Sequence, residues 1–256
     1  SASYARLASE VCSSIKEKNS EALVVGPGLA KLPGDPQKYR YRTEFIKAFL
    51  QSPAIECIDA ISLHPYRGND SVPESVIQDY KEVRGYIQGN IKQGVEIPAI
   101  ISSEWGYTLT NVTQEQQEAY VLRTHLSNLL ANVPMSILYE WKDSHNSEAG
   151  NSEANFGIVK HDRQPKPSFL HIESILPSIK DAVIERRIET NNENIYFLLL
   201  HYPDGKYGLL YWSSTKNDLD LTAEINWQNT KKYIDIKMKP QLIKTDNYIP
   251  EINVID

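Results

Sequence analysis

A unit that recurs along the chain constrains the fold more than any other feature of the sequence. Each unit begins with a short apolar run that suits a buried strand, and the runs occupy residues 22–27, 58–64, 98–104 and 135–141. Between the runs, apolar residues return every three or four positions, as on one face of a helix. The repeat of about 35 to 40 residues is typical of parallel strands joined by crossover helices. The sequence therefore predicts an α/β fold, either an open doubly wound sheet or part of an eight-stranded (β/α)8 TIM barrel.

Helices are predicted before, between and after these strands. They cover residues 4–18, 41–50, 74–91 and 114–130, and a further helix follows 165–167. The first is the best defined, because Leu7, Val11, Cys12 and Ile15 fall at helical spacing. The chain is thus expected to begin with a helix that precedes the first strand.

The pattern of apolar residues changes from helical to strand-like near residue 180. Strand-like runs follow at residues 195–200, 207–212 and 233–238, separated by turn clusters such as 203–205, and the helical period disappears. We expect an α/β domain over residues 1–179 and a small antiparallel, β-sandwich-like accessory domain over residues 180–256.

Charge and composition exclude some classes of protein. The formal net charge is −6, which argues against a nucleic-acid-binding surface. No apolar run approaches the roughly 20 residues that cross a bilayer, and the first residues lack the layout of a signal peptide. We therefore expect no nucleic-acid partner and no membrane association.

The cysteines and histidines do not indicate a metal or a disulfide framework. Cys12 and Cys57 lie at helix-like and strand-like positions, and we expect them to be buried core thiols. The six histidines are scattered without the spacing of metal ligands. Neither a metal nor a cofactor is predicted.

Polar and aromatic residues follow the predicted strands, where reactive groups of parallel α/β folds collect. His64 and Tyr66 come after the second strand, and Glu104 ends the third. Trp105 and Tyr107 follow Glu104 directly. After the fourth strand come Trp141, Lys142 and Asp143. A carboxylate among aromatic rings suits sugar chemistry, because apolar ring faces stack on the C–H face of a pyranose.

These strand ends resemble the second half of the barrel of clan A glycoside hydrolases, with families 5 and 39 the most similar. Residues 100–106 are similar to the seventh strand of that clan, which ends in the nucleophilic Glu, here Glu104. His64 and Tyr66 match the His-x-Tyr that ends the sixth strand of many members. Trp141 matches a Trp of the eighth strand that forms the floor of a sugar subsite. Residues 153–159 resemble the loop that follows this strand in bacterial members.

The resemblance implies a retaining glycosidase that acts on β-linked glycosides, with Glu104 as nucleophile. It implies strands five to eight of the barrel, no cofactor and an extracellular location. The acid/base Glu of the clan lies in an Asn-Glu pair at the end of strand four, and no such pair precedes Tyr4. We therefore expect the partner carboxyl to come from an N-terminal half-barrel or from a second copy of the chain. The expected sugar contacts are His64, Tyr66, Trp105, Tyr107, Trp141, Lys142 and Asp143.

Other interpretations of the same residues remain open. Glu104 alone is compatible with a solvated loop acid, and His64 with a structural histidine. Glu140 is a less favoured candidate for the acid, while Glu153 and His145 are candidate loop contacts. A non-catalytic carbohydrate-binding relic is the alternative function. A nucleotide-binding protein is disfavoured, because the turn at residues 26–30 lacks the G-x-G-x-x-G pattern.

Overall fold

The chain forms two compact units, neither of which is a continuous segment. The computed structural model describes residues 2–30, 36–68, 70–144, 151–219, 221–227, 230–245 and 251–255. Unit 1 comprises Ser1–Tyr66, Ser75–Gly106 and His125–Tyr139. Unit 2 comprises Arg67–Glu74, Tyr107–Thr124 and Glu140–Asp256.

Unit 1 is a parallel α/β assembly. Its strands are β1 (Val25–Leu29), β2 (Ala60–Leu63), β3 (Ala99–Trp105) and β4 (Ser136–Leu138), and they pair in parallel in the order β1-β2-β3-β4. Its helices are α1 (Ala2–Lys18), α2 (Pro36–Leu50), α3 (Ser75–Asn90) and the C-terminal part of α4 (Gln114–Leu130). The strand order follows the chain without reversal, as consecutive strands of a barrel do, whereas a doubly wound sheet contains a reversal point.

The core of unit 1 explains why these segments take these forms. All four residues of β2 are buried, as expected for a parallel strand that is covered on both faces. In α3, Val76, Tyr80, Val83 and Ile87 are buried at three- and four-residue spacing, so one helix face packs into the core.

The first strand begins three residues later than the sequence predicts. The Val24 backbone N–H donates to the Asp59 carboxylate at 2.6 Å, and the Leu23 side chain is 80% exposed. These residues therefore lie outside the strand ladder, although they are as apolar as the strand itself.

The expectation of core thiols is wrong, because Cys12 and Cys57 form a disulfide. Their Cα atoms are 6.1 Å apart and 45 positions separate them in the chain. The bond joins α1 to the turn that follows a short 3₁₀ helix, Pro53–Glu56. No local pattern reveals this pairing, since it arises only when α1 packs against that turn.

Unit 2 contains the all-β segment. After α5 (Pro167–Ile179) come β5 (Val183–Ile188), β6 (Ile195–His201), β7 (Tyr207–Ser213), β8 (Leu221–Trp227), β9 (Thr230–Ile236), β10 (Gln241–Thr245) and β11 (Glu251–Ile255). They form two antiparallel sheets, ordered β10-β7-β6-β5 and β11-β8-β9. Buried residues of both sheets, such as Phe197 and Ile225, belong to one hydrophobic cluster.

The change to all-β structure lies between α5 and β5, near the domain boundary predicted at residue 180. The compact units nevertheless cross that position, because unit 2 also takes residues 67–74, 107–124 and 140–179. A buried polar cluster provides the physical reason. Glu74 binds Arg123 through two 2.7 Å hydrogen bonds and accepts a third, also 2.7 Å, from the Trp212 indole. Three distant segments are thereby fixed to each other.

None of the helices in the described part of the chain is both long enough and apolar enough to span a membrane.

Candidate active site

Glu104 occupies the end of β3, where the strand is irregular. A three-residue step on β3, from Ser102 to Trp105, faces a two-residue step on β4, from Ser136 to Leu138. An extra residue of this kind changes the direction in which the following side chains point. Ser102 and Trp105 are both buried, while the Glu104 side chain remains 40% exposed. The irregularity therefore allows a carboxylate to reach solvent in a strand whose other side chains are mostly covered.

Two side chains from the neighbouring strand end lie at the Glu104 carboxylate. The Tyr66 hydroxyl donates to Glu104 Oε1 at 2.8 Å. His64 Nδ1 lies 3.8 Å from Glu104 Oε2, and the His64 side chain is 24% exposed. The His64 backbone N–H donates to the Leu29 carbonyl at 2.9 Å, which fixes the end of β2 against β1. The structure thus brings together three of the residues that the sequence singled out.

The sequence did not predict a pair of hydroxyl groups next to this carboxylate in the chain. Ser62 Oγ of β2 and Ser103 Oγ of β3 are within hydrogen-bonding distance of each other. The pair joins the two strands that carry Tyr66 and Glu104. Small polar residues within an apolar strand were the available sequence signal, because a buried hydroxyl needs a partner.

Trp105 belongs to the interior of unit 1. Its side chain is 1% exposed, and its indole N–H donates to Ser136 Oγ at 2.7 Å. Its ring meets the His125 ring edge-on at 4.7 Å between centroids. Burial lowers the pKa of His125 to about 4, so this imidazole is neutral near pH 7. The ring of Trp105 therefore supports β3 and α4 rather than facing solvent.

Tyr107 is also enclosed, within unit 2. It is 5% exposed, and the Tyr120 ring lies 5.2 Å from its own in an edge-on arrangement. Thr124 Oγ1 donates to its hydroxyl at 3.3 Å, and Gln117 donates to its carbonyl at 2.8 Å. Burial raises the pKa of the Tyr107 phenol far above its usual range.

Asp143 takes part in a buried ion pair of unit 2. Its Oδ1 accepts a 2.8 Å bond from Lys166 and a 2.9 Å bond from the Gly157 N–H. A Cβ at Gly157 would lie 2.2 Å from the Asp143 backbone nitrogen, so only glycine fits there. Lys142 forms a parallel bridge with Val159. This chain segment is therefore held firmly after β4, with Asp143 facing protein.

Trp141 differs from the other aromatic candidates because its side chain is accessible. It is 62% exposed and contacts Phe169 at a 5.4 Å centroid distance with the rings nearly perpendicular. A large ring that is anchored on one side and open to solvent on the other is suited to stacking on an apolar ligand surface.

The remaining candidates are less informative. Glu140 accepts a 2.8 Å bond from Ser144. Glu153 belongs to a short 3₁₀ helix, Ser152–Asn155, and His145 lies outside the described residues. Within those residues, no three or more His, Cys, Asp or Glu side chains are grouped so as to hold a metal ion.

Solved structures with a similar fold include glycoside hydrolases. The chain is similar to a family 39 glycoside hydrolase from the gut symbiont Bacteroides cellulosilyticus WH2, with a TM-score of 0.63 and 18% identity over 79% of this chain and 47% of that one. A glucosidase from Croceicoccus marinus matches with a TM-score of 0.58 and 15% identity over 93% and 50% of the two chains. A GH51 arabinofuranosidase from Xanthomonas axonopodis pv. citri gives 0.50 and 10% over 98% and 60%.

The chain spans about half the length of these solved structures. No family model matches the sequence, and no curated protein does either. The likeness is therefore one of fold, and the fold is that of glycoside hydrolases.

Proposed function

We propose that this chain, which has a glycoside hydrolase fold, is the nucleophile-bearing part of a retaining β-glycosidase. The proposal depends on one observation: the carboxylate of Glu104 at a strand end accepts a 2.8 Å hydrogen bond from Tyr66 while staying 40% exposed. A nucleophile must be both oriented and reachable by substrate, and this carboxylate meets both requirements. We extend the proposal to clan A and to a type similar to families 5 and 39, on the strand-end pattern described above.

The proposed reaction is a double displacement. In the first step a Glu104 oxygen bonds to the anomeric carbon, the bond to the leaving oxygen breaks, and a carboxylic acid donates its proton to that oxygen. In the second step water attacks the same carbon and gives its proton to the acid's conjugate base, which frees the Glu104 carboxylate. The acid/base residue is proposed to come from outside this chain segment.

The buried and exposed candidates are assigned different tasks. His64 and Tyr66 bind sugar hydroxyls or orient Glu104, because both lie at the accessible carboxylate. Trp141 is proposed to stack on a sugar ring, given its exposed indole. Trp105, Tyr107 and Asp143, which are buried, and Lys142, which is bridged to Val159, are proposed to position the segments that carry these contacts.

A fluorinated substrate tests the nucleophile without requiring the acid. The 2,4-dinitrophenyl 2-deoxy-2-fluoro-β-glycosides of glucose, mannose and xylose carry a leaving group that departs unprotonated, so attack by Glu104 needs no general acid. Intact mass should increase by one fluoroglycosyl group on the protein isolated from cells that produce it, and peptide mapping should place the group on Glu104. Glu104→Gln should abolish the increase.

The matched control is Glu56→Gln. Glu56 lies in the same unit, its side chain is 51% exposed, and it pairs with Lys92. This variant should be labelled as fast as the unchanged protein. Labelling of another residue, or no labelling with any of the three sugars, would overturn the proposal. Saturable sugar binding without labelling would identify the carbohydrate-binding relic instead.

The disulfide bears on where the protein works. Disulfides persist in oxidising compartments and are rare in the cytosol. With Cys12 and Cys57 joined, we propose that the chain acts in an extracellular or comparable oxidising environment.

A further inference from the structure

A cavity of about 320 Å³ lies at one end of the four-stranded sheet of unit 2, beside the turn that joins β6 to β7. In this turn the Tyr202 backbone N–H donates to the Lys206 carbonyl at 2.9 Å, and Gly205 has a φ of +82°, which favours glycine. The end of β10 forms another wall, where Thr245 is paired with Tyr207. We call this space the β6–β7 cavity. It is lined by Tyr202, Asp204, Lys206, Tyr207, Lys244 and Thr245.

The Tyr202 ring is a fixed wall of the β6–β7 cavity. Its hydroxyl donates to the Ser178 carbonyl at 2.8 Å. A Cβ at Gly208 would lie 3.0 Å from the Tyr202 hydroxyl oxygen and 3.1 Å from a carbon of its ring, so the glycine leaves the space that the ring occupies. Burial raises the pKa of this phenol, which is therefore neutral near pH 7. The ring is thus held in one position without the help of a ligand.

The charged side chains of the cavity give it a net positive charge. Lys206 Nζ lies 3.5 Å from the Asp204 carboxylate, and the Lys206 backbone N–H donates to the same carboxylate at 3.1 Å. Asp204 is therefore neutralised within the turn. Lys244 Nζ lies over the Tyr202 ring, 5.3 Å from its centroid, and among the described residues it forms no ion pair. Two lysines and one aspartate give the cavity a charge of +1, which Lys244 carries.

We propose that the β6–β7 cavity binds one hexuronic acid residue of a glycan, with the sugar carboxylate at Lys244 and the pyranose ring beside the two tyrosines. The choice of a sugar rests on the proposed function, and the choice of an acidic sugar rests on the charge of the cavity. A Lys ammonium binds a carboxylate through charge-assisted hydrogen bonds, and a tyrosine ring packs on an apolar ligand face. Ligand pockets range from about 300 to 1,000 Å³, so a cavity at the lower end suits a single sugar residue.

This chemistry separates a uronic acid from other ligands of the same size. A phosphate or sulfate ion would use the charge of Lys244 but has no apolar face for the tyrosine rings. A neutral sugar would use the rings but leave the ammonium without a partner. A uronic acid uses both, because it combines a carboxylate with a pyranose ring. The proposal therefore adds uronic acid residues to the glycan on which the glycosidase acts, and binding at a second site raises the effective concentration of that glycan.

NMR titration of the ¹⁵N-labelled protein locates and measures this binding. The probes are methyl β-D-glucuronide, methyl β-D-galacturonide, their neutral counterparts methyl β-D-glucoside and methyl β-D-galactoside, and inorganic phosphate. We expect uronides to shift the amide signals of residues 202–207 and 241–245. At least one uronide should bind about tenfold or more tightly than its neutral counterpart, in line with a hydrogen bond between charged groups. Phosphate should bind more weakly than that uronide.

Variants with opposite expected effects test the role of charge. Lys244→Met keeps the aliphatic stem but removes the ammonium, so the Kd of the uronide should rise by about tenfold or more. Asp204→Asn still accepts the Lys206 backbone N–H but removes a negative charge, so the Kd should fall by about twofold to fivefold. Lys231→Met is the matched control, because Lys231 is 64% exposed on β9, pairs with Glu224 and does not line the cavity. Its Kd should equal that of the unchanged protein, and the amide spectrum verifies that each variant folds.

Four results would overturn the proposal: shifts confined to other parts of the chain, equal affinity for a uronide and its neutral counterpart, equal affinity for phosphate, or a Kd that Lys244→Met leaves unchanged. These outcomes are separable from those of the proposed function. Uronide binding by a protein whose Glu104 is not labelled would support the site and overturn the glycosidase. Labelling of Glu104 in a protein that binds no uronide would do the reverse.

Discussion

Carboxylates in the two units have opposite surroundings. Glu104 of unit 1 is 40% exposed, and its nearest donor is the neutral Tyr66 hydroxyl. Glu74 and Asp143 of unit 2 are 4% and 6% exposed, and each is neutralised by a cation that is equally buried. A buried charge needs a charged partner at close range. A carboxylate that is paired in this way is not accessible to a substrate. Accessibility combined with a neutral donor is what distinguishes the candidate nucleophile from a structural acid.

The largest effect should follow from removing the cation at Glu74. Arg123→Met leaves a buried carboxylate without its charge partner, which should cost about 3 to 5 kcal/mol of unfolding free energy in urea. The double variant Glu74→Gln, Arg123→Met should regain part of the loss, since no charge then stays buried. Equal stability of Arg123→Met and the unchanged chain would remove the distinction between the two kinds of carboxylate.

Removing the cation of the second buried pair, Lys166 and Asp143, should also lower the unfolding free energy, but by less. Lys166→Met deprives Asp143 of its cation, yet the Gly157 N–H at 2.9 Å still donates to the same oxygen. We expect a loss of about 2 to 4 kcal/mol, measured by the same urea titration. Lys160→Met, at an exposed lysine of the same unit, is the control and should leave the urea midpoint nearly unchanged.

The buried, neutral imidazole of His125 should make the protein less stable at acid pH. Burial lowers the folded-state pKa of this imidazole to about 4 from 6.5. The unfolded chain therefore binds the proton first, so stability is complete above pH 6.5 and falls as the pH drops toward 4. The loss attributable to His125 is on the order of 3 kcal/mol. Comparing urea midpoints at several pH values for His125→Gln should show a shallower dependence, and an unchanged slope would contradict the assignment.

Tyr66→Phe should affect chemistry more than stability. Without the hydroxyl, the Glu104 carboxylate loses the bond that orients it, so fewer molecules hold the attacking geometry. The rate of fluoroglycosyl labelling should fall by about tenfold to a hundredfold, in line with hydrogen bonds to charged groups. Tyr233→Phe alters an exposed hydroxyl bonded to Glu224 and should leave the labelling rate unchanged.

The smallest effect on stability is expected at the candidate nucleophile itself. Glu104→Gln keeps the shape of a side chain that is 40% exposed, and the replaced group can still accept the Tyr66 hydrogen bond. The unfolding free energy should change by no more than about 0.5 kcal/mol in either direction. A loss comparable with that of Arg123→Met would mean that Glu104 is a structural acid.

Sequence reasoning located the ends of β2 and β3 to within one residue, placed the end of β4 three residues too late, and judged side-chain accessibility poorly. His64, Tyr66 and Glu104 could be grouped because parallel strands end at one edge of a sheet. That Trp105 turns inward depends on an irregular register between β3 and β4, which leaves no mark in the sequence. That Asp143 is buried depends on Lys166, which lies 23 positions away.

In the antiparallel region, the sequence predicted some strands and not others. The continuous apolar runs of β6 and β7 were found, because both strands are buried almost throughout. Strands β5, β8, β10 and β11 were missed. In β5 the charges of residues 185–187 mask an edge strand, and in β8 the buried Ala223 and Ile225 alternate with polar residues. Period-two alternation was the signal that would have identified β8.

The Cys12–Cys57 bond also gives the chain a particular connectivity. It closes a covalent ring that contains β1 and α2. A protease that cuts the backbone anywhere between those cysteines therefore opens the ring without releasing a fragment. On a denaturing gel such nicked protein would migrate as one band until a thiol is added, and then as two. Cleavage between α1 and Cys57 would consequently leave α1 covalently attached to the segment that leads into β2.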